Sequence, residues 1–257
     1  MILIVGGDSV IGGALAKYCE REKIFFHAST RKRKLISDSR PFFDLREPEI
    51  IDYKQYDAAV ICIGLSYLSY CEMNPALTRE INVNLTINLI SHLNRLGVFT
   101  VVLSTNQVFD GEKPFRKTTD KRCPINEYGR QKSELESLVE KFSNYSIVRI
   151  TKVISSNLPL LVQWKEKLEA GLEIKAFEDM SVCPVHLSRV IEKIKIIIEK
   201  KEPVIYHCSG ENDLSYFDYA KFFAQENGYD INLVTRDSYK SNKEINYNVP
   251  IYTSLEE

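Results

Sequence analysis

The sequence predicts an α/β protein, a doubly wound parallel sheet followed by a smaller mixed α/β part. Three observations predict it. Through the first 150 residues, short apolar runs rich in β-branched residues alternate with longer runs of helical period. The first of these runs ends in a glycine-bearing turn that opens a helix. After Ile150 the rhythm changes. Alternating strand and helix argues a parallel sheet covered on both faces, because crossover connections lay helices over the strands.

Taken in order, Ile2 to Val5, Ile24 to Ala28, Ala58 to Ile63, Val98 to Leu103 and Tyr145 to Ile150 are strand-length. Helices are expected at Gly13 to Lys23, Pro75 to Leu96 and Tyr128 to Phe142. In the last, Leu135, Leu138, Val139 and Phe142 fall on one face, with Glu and Lys opposite. Beyond Ile150 come a helix from Leu158 to Ala170 and a short strand near Ile174. A helix from Val190 to Lys200 follows, with Ser188 as its cap, then a strand from Val204 to His207. Ser215 and Asp218 make a capping-box pattern for a helix running to Gln225. The polar stretch Asp237 to Asn248 reads as a loose surface segment. This divides the chain into a nucleotide-binding part, 1–150, and a substrate-binding part, 151–257, with 185–202 packing back on the first.

Composition narrows the function classes. With 44% hydrophobic and 27% charged residues and a formal charge of −1, no global field draws the chain to nucleic acid or a membrane. The amino terminus has only a short apolar run before Gly6, too short for a signal peptide or a span. Six cysteines form no C-x-x-C pair and no zinc spacing, and the four histidines are scattered, so no metal site is expected. A reduced, cytoplasmic chain is expected. No G-x-S-x-G elbow supports a hydrolase.

Gly6-Gly7-Asp8-Ser9-Val10-Ile11-Gly12-Gly13 follows the first strand and opens the first helix, the context of a dinucleotide turn. Gly6 suits the sharp turn and Gly12 the close helix packing. Ser9 stands at the middle position, where its Cβ crowds an approaching pyrophosphate. Asp8, Val10 and Ile11 complete the candidate phosphate contacts. The acid expected about 20 residues on is absent. Ser29-Thr30-Arg31-Lys32 stands there instead, and a guanidinium at Arg31 suits a 2′-phosphate, which favours NADP and leaves NAD open. A solvated basic loop is the competing reading. Asp44-Leu45 is placed either against the adenine or, for Asp44, as a helix-start acid before Pro48.

Val101-Val102-Leu103-Ser104-Thr105 is a buried strand ending in two hydroxyls, expected at the crevice beyond the strand ends. Tyr128 and Lys132 share one helix face at i and i+4. A hydroxyl that orients a carbonyl, a tyrosine that trades its proton and a lysine that lowers the tyrosine pKa form a proton-transfer trio. A second such spacing, Tyr239 and Lys243, lies in a polar segment without a helix signal.

These residues together resemble the extended short-chain dehydrogenases, most closely the dTDP-4-dehydrorhamnose reductase group, over nearly the whole chain. Ser104-Thr105-Asn106-Gln107-Val108-Phe109-Asp110-Gly111 is similar to that group's Ser-Thr-Asp-x-Val-Phe-Asp-Gly signature. Pro124 to Lys132 resembles its Pro-x-x-x-Tyr-Gly-x-x-Lys segment, with Glu136 on a glutamate usual there. Cys71 to Pro75 with Ile81 to Asn84, and Ala176 to Asp179 with Pro184, fit further segments.

The resemblance implies a Rossmann-type fold, Thr105 as substrate-orienting hydroxyl, Tyr128 as catalytic acid, and Lys132 as partner of the cofactor ribose and the tyrosine. It places Ile63 and Gly64 along the cofactor and Asn106, Val108 and Phe109 toward substrate. Asn106 for the signature aspartate and Ser9 for a glycine are departures, and the ending soon after Tyr252-Thr253-Ser254-Leu255 implies a trimmed lid. The expected function is NADP-dependent reduction of a nucleotide-linked 4-keto-6-deoxy sugar in cell-surface polysaccharide synthesis. Alternatives are an epimerase or dehydratase, or a cofactor-binding regulatory subunit like the β subunit of methionine adenosyltransferase. The expected partner is a sugar nucleotide, and oligomeric state is left open, a homodimer included.

Overall fold

The computed structural model describes residues 1–47, 52–242, 245 and 247–257. β1 (Ile2–Val5) leads through the glycine turn into α1 (Val10–Arg21), and β2 (Phe26–Ala28) returns beside it. β3 (Ala58–Ile61) is followed by α2 (Leu68–Met73), α3 (Pro75–Arg79) and α4 (Thr86–Arg95). β4 (Phe99–Thr105), α5 (Glu127–Val139) and β5 (Tyr145–Ile150) complete the alternation. Then come β6 (Lys152–Ile154), α6 (Pro159–Glu169), β7 (Ile174–Phe177), β8 (Ser181–Val182) and β9 (Pro184–His186). The chain continues with α7 (Leu187–Lys200), β10 (Ile205–Cys208), β11 (Leu214–Ser215), α8 (Tyr216–Glu226) and β12 (Val234–Asp237).

Six strands form one parallel sheet in the order β10-β5-β4-β3-β1-β2. The winding direction reverses beside β1, and a crevice opens there at the carboxyl ends of the strands. Successive residues of a strand face opposite sides, so β1 feeds two cores at once. Leu3 and Val5 pack with Ile90, Leu93 and Leu135 under α4 and α5, while Ile4 packs with Leu15, Val190 and Ile194 under α1 and α7. A third core gathers Trp164, Leu168, Ile174, Phe217 and Val234 between α6, β7, α8 and β12.

Three boundaries differ from expectation. The helix expected from Pro75 to Leu96 widens into a π-helical segment at Glu80–Leu85, and α2 precedes it. The wider turn carries Asn82 inward, and six residues of α2 are too few to show a period. Ser188 is not the cap of α7: the helix starts at Leu187, and His186 stands at the cap without a side-chain bond. The stretch expected to be loose is partly anchored. Asp237 ends β12, and Asp179 accepts from the Ser238 hydroxyl at 2.6 Å and the Tyr239 N–H at 2.7 Å. Lys243, and with it the second Tyr–Lys pair, lies outside the described residues, as does Pro48.

Candidate active site

A cleft of about 590 Å³ lies at the carboxyl ends of β1, β3, β4 and β5. Ser9, Val10, Ile11, Ile63, Gly64, Thr105, Asn106, Tyr128 and Lys132 line the sheet side. Its opposite wall includes Ser155, Leu158, Met180, Tyr216, Tyr247 and Thr253. Val249 and Pro250 also reach it, so the segment read as a trimmed lid contributes wall.

The glycine turn is built as its residues require. Gly6 has φ +91°, a left-handed conformation that disfavours a side chain. A Cβ on Gly12 would stand 2.3 Å from the Gly6 carbonyl oxygen, so only glycine lets α1 come this close. Ser9 behaves differently from the expectation of a crowding residue. At φ −76° it needs no glycine-like freedom, and its hydroxyl oxygen caps α1 by accepting from Gly12 N–H at 3.0 Å. Gly6 and Gly7 N–H are taken by the Ser29 hydroxyl and carbonyl, both at 2.9 Å. The N–H groups of Val10 and Ile11 have no hydrogen-bond partner among the described residues and lie beside the cleft, where the helix dipole favours an anion.

The other candidate cofactor contacts stand outside the cleft wall. Gly6 and Gly12 support it from beneath. The Asp8 carboxylate turns to the Thr30 hydroxyl at 2.8 Å and to Arg40 at 2.7 Å. Arg31 is exposed, with no hydrogen-bond or ion-pair partner among the described residues. Asp44 closes a local turn onto Arg46 N–H at 3.0 Å, and Leu45 packs on the core.

Thr105, Tyr128 and Lys132 share the cleft, and Ser104 lines it as well. The Ser104 hydroxyl is already engaged, donating to the Glu136 carboxylate at 2.5 Å. The Thr105 hydroxyl accepts from Gln107 N–H at 3.2 Å and donates to Asn106 Oδ1 at 3.4 Å. Asn106 is thus a cleft residue. Val108 and Phe109 are not: they are buried with Leu255 in a small core.

Four contacts fix α5 against the sheet. Asn126 caps the helix, accepting from Gly129 N–H at 2.9 Å and donating to Gln107 Oε1 at 2.7 Å. Gly129 packs so closely that a Cβ would lie 2.1 Å from the Gln107 carbonyl oxygen. Gln131 accepts from Asn82 at 2.8 Å, and Asn82 in turn brackets Leu65, accepting from its N–H at 2.7 Å and donating to its carbonyl at 2.9 Å. Glu136 binds Arg149 on β5. Asn82, Asn126, Gln131 and Arg149 went unrecognised as site supports in the sequence. Polar residues at a helix cap and at otherwise apolar helix and strand positions were the available signal.

Neither the Tyr128 hydroxyl nor the Lys132 ammonium has a protein hydrogen-bond partner among the described residues. The expectation that the lysine lowers the tyrosine pKa is not met here. Burial pushes the phenol well above its ordinary value, with a smaller contribution from Cys71, and holds it protonated. Burial also brings Lys132 down to about 8, opposed by Glu136. The arrangement therefore presents a neutral proton donor beside an oriented hydroxyl.

These features also fit a nicotinamide dinucleotide. Two free N–H groups at the α1 terminus suit a pyrophosphate, and the unbonded Lys132 suits ribose hydroxyls. No group of His, Cys, Asp and Glu among the described residues could hold a metal ion. No helix among them is long and apolar enough to cross a membrane.

A crevice at the sheet's reversal, lined by a Tyr-x-x-x-Lys helix and a strand-end threonine, is the arrangement that the resemblance to the extended short-chain dehydrogenases implies. More narrowly, the chain belongs to the RmlD substrate binding domain family, whose model matches residues 1–246. The solved dTDP-4-dehydrorhamnose reductase of Bacillus anthracis str. Ames, in complex with NADP, has a TM-score of 0.83 at 20% identity, over 100% of this chain and 90% of that one. The probable low-salt glycan biosynthesis reductase Agl14 of Haloferax volcanii is 24% identical over 197 residues, 74% of this chain and 66% of that protein. The β subunit of methionine adenosyltransferase 2 of Rattus norvegicus is 24% identical over 245 residues, 85% of this chain and 70% of that protein.

Proposed function

We propose that this protein reduces a nucleotide-linked 4-keto-6-deoxy sugar with NADPH, in the synthesis of a cell-surface polysaccharide. The observation that carries the reading is the convergence of Thr105, Tyr128 and Lys132 on one cleft, the side-chain ends of the last two without partners among the described residues. NADPH, when bound, supplies the hydride. Thr105 orients the keto oxygen, and Tyr128 gives it a proton as the carbonyl becomes an alcohol. Lys132 holds ribose hydroxyls, and solvent returns the proton to Tyr128 after transfer. Arg31 reads the 2′-phosphate that distinguishes NADPH. Support comes from relatives named as reductases of dTDP-4-dehydrorhamnose and of glycan synthesis.

The similarity to a methionine adenosyltransferase subunit over 85% of the chain favours a second reading, a cofactor-binding regulatory subunit. Loss of NADPH absorbance on adding a dTDP-4-keto-6-deoxyhexose separates the two. Steady consumption supports the reductase. Tight NADPH binding with no turnover on thymidine- or uridine-linked keto sugars gives the regulatory reading the lead.

A further inference from the structure

We propose that Lys152 holds an anionic oxygen group of the substrate, a phosphate or a sugar carboxylate, close to the reacting carbon. The inference rests on the sugar-nucleotide reading above. Among the described residues that line the cleft, the charged side chains are Lys132 and Lys152, and no Asp or Glu joins them. The Lys152 N–H donates to the Cys183 carbonyl at 3.2 Å, but its ammonium has neither an ion pair nor a hydrogen bond to any described residue. Its side chain is accessible, yet the protein around it displaces enough water to bring the ammonium below the ordinary lysine value. A cleft with two cations and no counter-charge in its wall attracts anions.

Position separates this lysine from the cofactor's pyrophosphate. Lys152 follows the end of β5, whereas the free N–H groups of α1 follow β1. β3 and β4 lie between, so three inter-strand steps put the two sites about 14 Å apart. Thr105 pairs with Ile150 across the sheet, and Lys152 is two residues farther along, about 7 Å of chain. Lys152 therefore stands on the substrate side of Thr105, on the way to Met180, Tyr216 and Tyr247 of the opposite wall. A solvated lysine with no ligand is the bland alternative, but such a residue gives no reason for a wall free of carboxylates.

The test compares wild type with Lys152→Met and Lys152→Arg by calorimetry. The probes are dTDP, dTDP-glucose, dTDP-glucuronic acid and their uridine counterparts, each with and without NADP⁺. Lys152→Met should lose about tenfold or more in affinity, and Lys152→Arg should recover part of it. A loss shared by all probes places the diphosphate on Lys152, and a loss confined to the glucuronic acid compounds places the carboxylate there. Equal affinities for wild type and Lys152→Met, or no probe bound by wild type, overturn the proposal. The same samples titrated with NADP⁺ report on the cofactor separately, where the variant should match wild type. Probe binding without NADP⁺ binding would uphold Lys152 and defeat the reductase reading.

Discussion

Arg149 and Glu136, each with 1% of its side chain exposed, are joined by an Arg149 Nη2 to Glu136 Oε2 contact of 2.8 Å. The pair ties β5 to α5 one helical turn beyond Lys132. Glu136 also accepts from Ser104 at 2.5 Å and from Arg122 at 2.9 Å. Burial pushes its carboxyl pKa up, but Arg149, Ser104 and Arg122 outweigh that and hold it below the ordinary range. Glu136→Gln keeps the shape and removes the charge, leaving Arg149 buried without a counter-ion. We expect a loss of about 3 to 5 kcal/mol in unfolding free energy, read by urea denaturation. A loss below about 1 kcal/mol would mean that the arginine finds another partner.

Tyr128→Phe removes the proposed acid and little else, since the hydroxyl has no protein partner among the described residues. Turnover should fall about 100-fold or more while NADPH affinity and thermal stability stay near wild type. Tyr239→Phe is the control and should change neither. Parental turnover in Tyr128→Phe would move the proton donor elsewhere.

Lys132 gives a pH dependence with a defined sign. Its free-protein pKa is brought down to about 8 by burial. A ligand that accepts hydrogen bonds from the ammonium prefers the protonated form. Affinity should be flat below about pH 8 and fall above it, by at most tenfold per pH unit. Lys132→Met should bind weakly with no such break, and calorimetric titration across this range decides it. A break in the opposite direction would exclude the ammonium as the contact.

For Arg31 the expectation is a preference for NADPH over NADH. Its guanidinium is exposed and unpaired among the described residues, while Arg40 is already engaged by Asp8. Arg31→Ala should weaken NADPH by about tenfold or more and leave NADH nearly unchanged. Equal losses for the two cofactors would make Arg31 a general surface charge.

Ser9 now separates two substitutions. Ser9→Ala removes the cap on Gly12 N–H and should cost about 1 kcal/mol of stability. Ser9→Gly should cost only a few tenths, and with φ at −76° it gains nothing from left-handed freedom. Cofactor affinity in Ser9→Gly should stay within about tenfold of wild type. Thermal melts and NADPH titrations of both variants check this, and a Ser9→Ala protein as stable as wild type would dismiss the cap.

Much of this geometry was legible because it rests on local chemistry. Gly6 and Gly12 are demanded by a positive φ and a close contact, and a strand–turn–helix context announces both. Tyr128 and Lys132 are four apart on a helix, a spacing that sequence displays directly. Ser104 and Thr105 were harder, since both line the cleft and only the distant Glu136 shows that the Ser104 hydroxyl is already engaged. Val108 and Phe109 were drawn toward substrate by a motif, while their apolar character alone suggests the core they occupy. The supports at Asn82 and Gln131 depend on a π-helical widening and a partner 49 residues away, and neither leaves a periodic trace. Lys152 looks like any solvated lysine until the wall around it is known.

The cleft has walls of different making. One is a parallel sheet whose strand ends are locked into two cores, and the other is hung from α8, the turn after β7 and the segment around Thr253. Asp213 fastens that segment, accepting from Thr253 N–H at 2.6 Å and from its hydroxyl at 2.8 Å. Leu158, Met180, Tyr216 and Tyr247 line that second wall, apart from the elements that carry Thr105, Tyr128 and the α1 terminus. On the reductase reading, the molecule is modular across its own crevice: a sheet-built half for hydride and proton chemistry faces a second half free to vary with what is admitted.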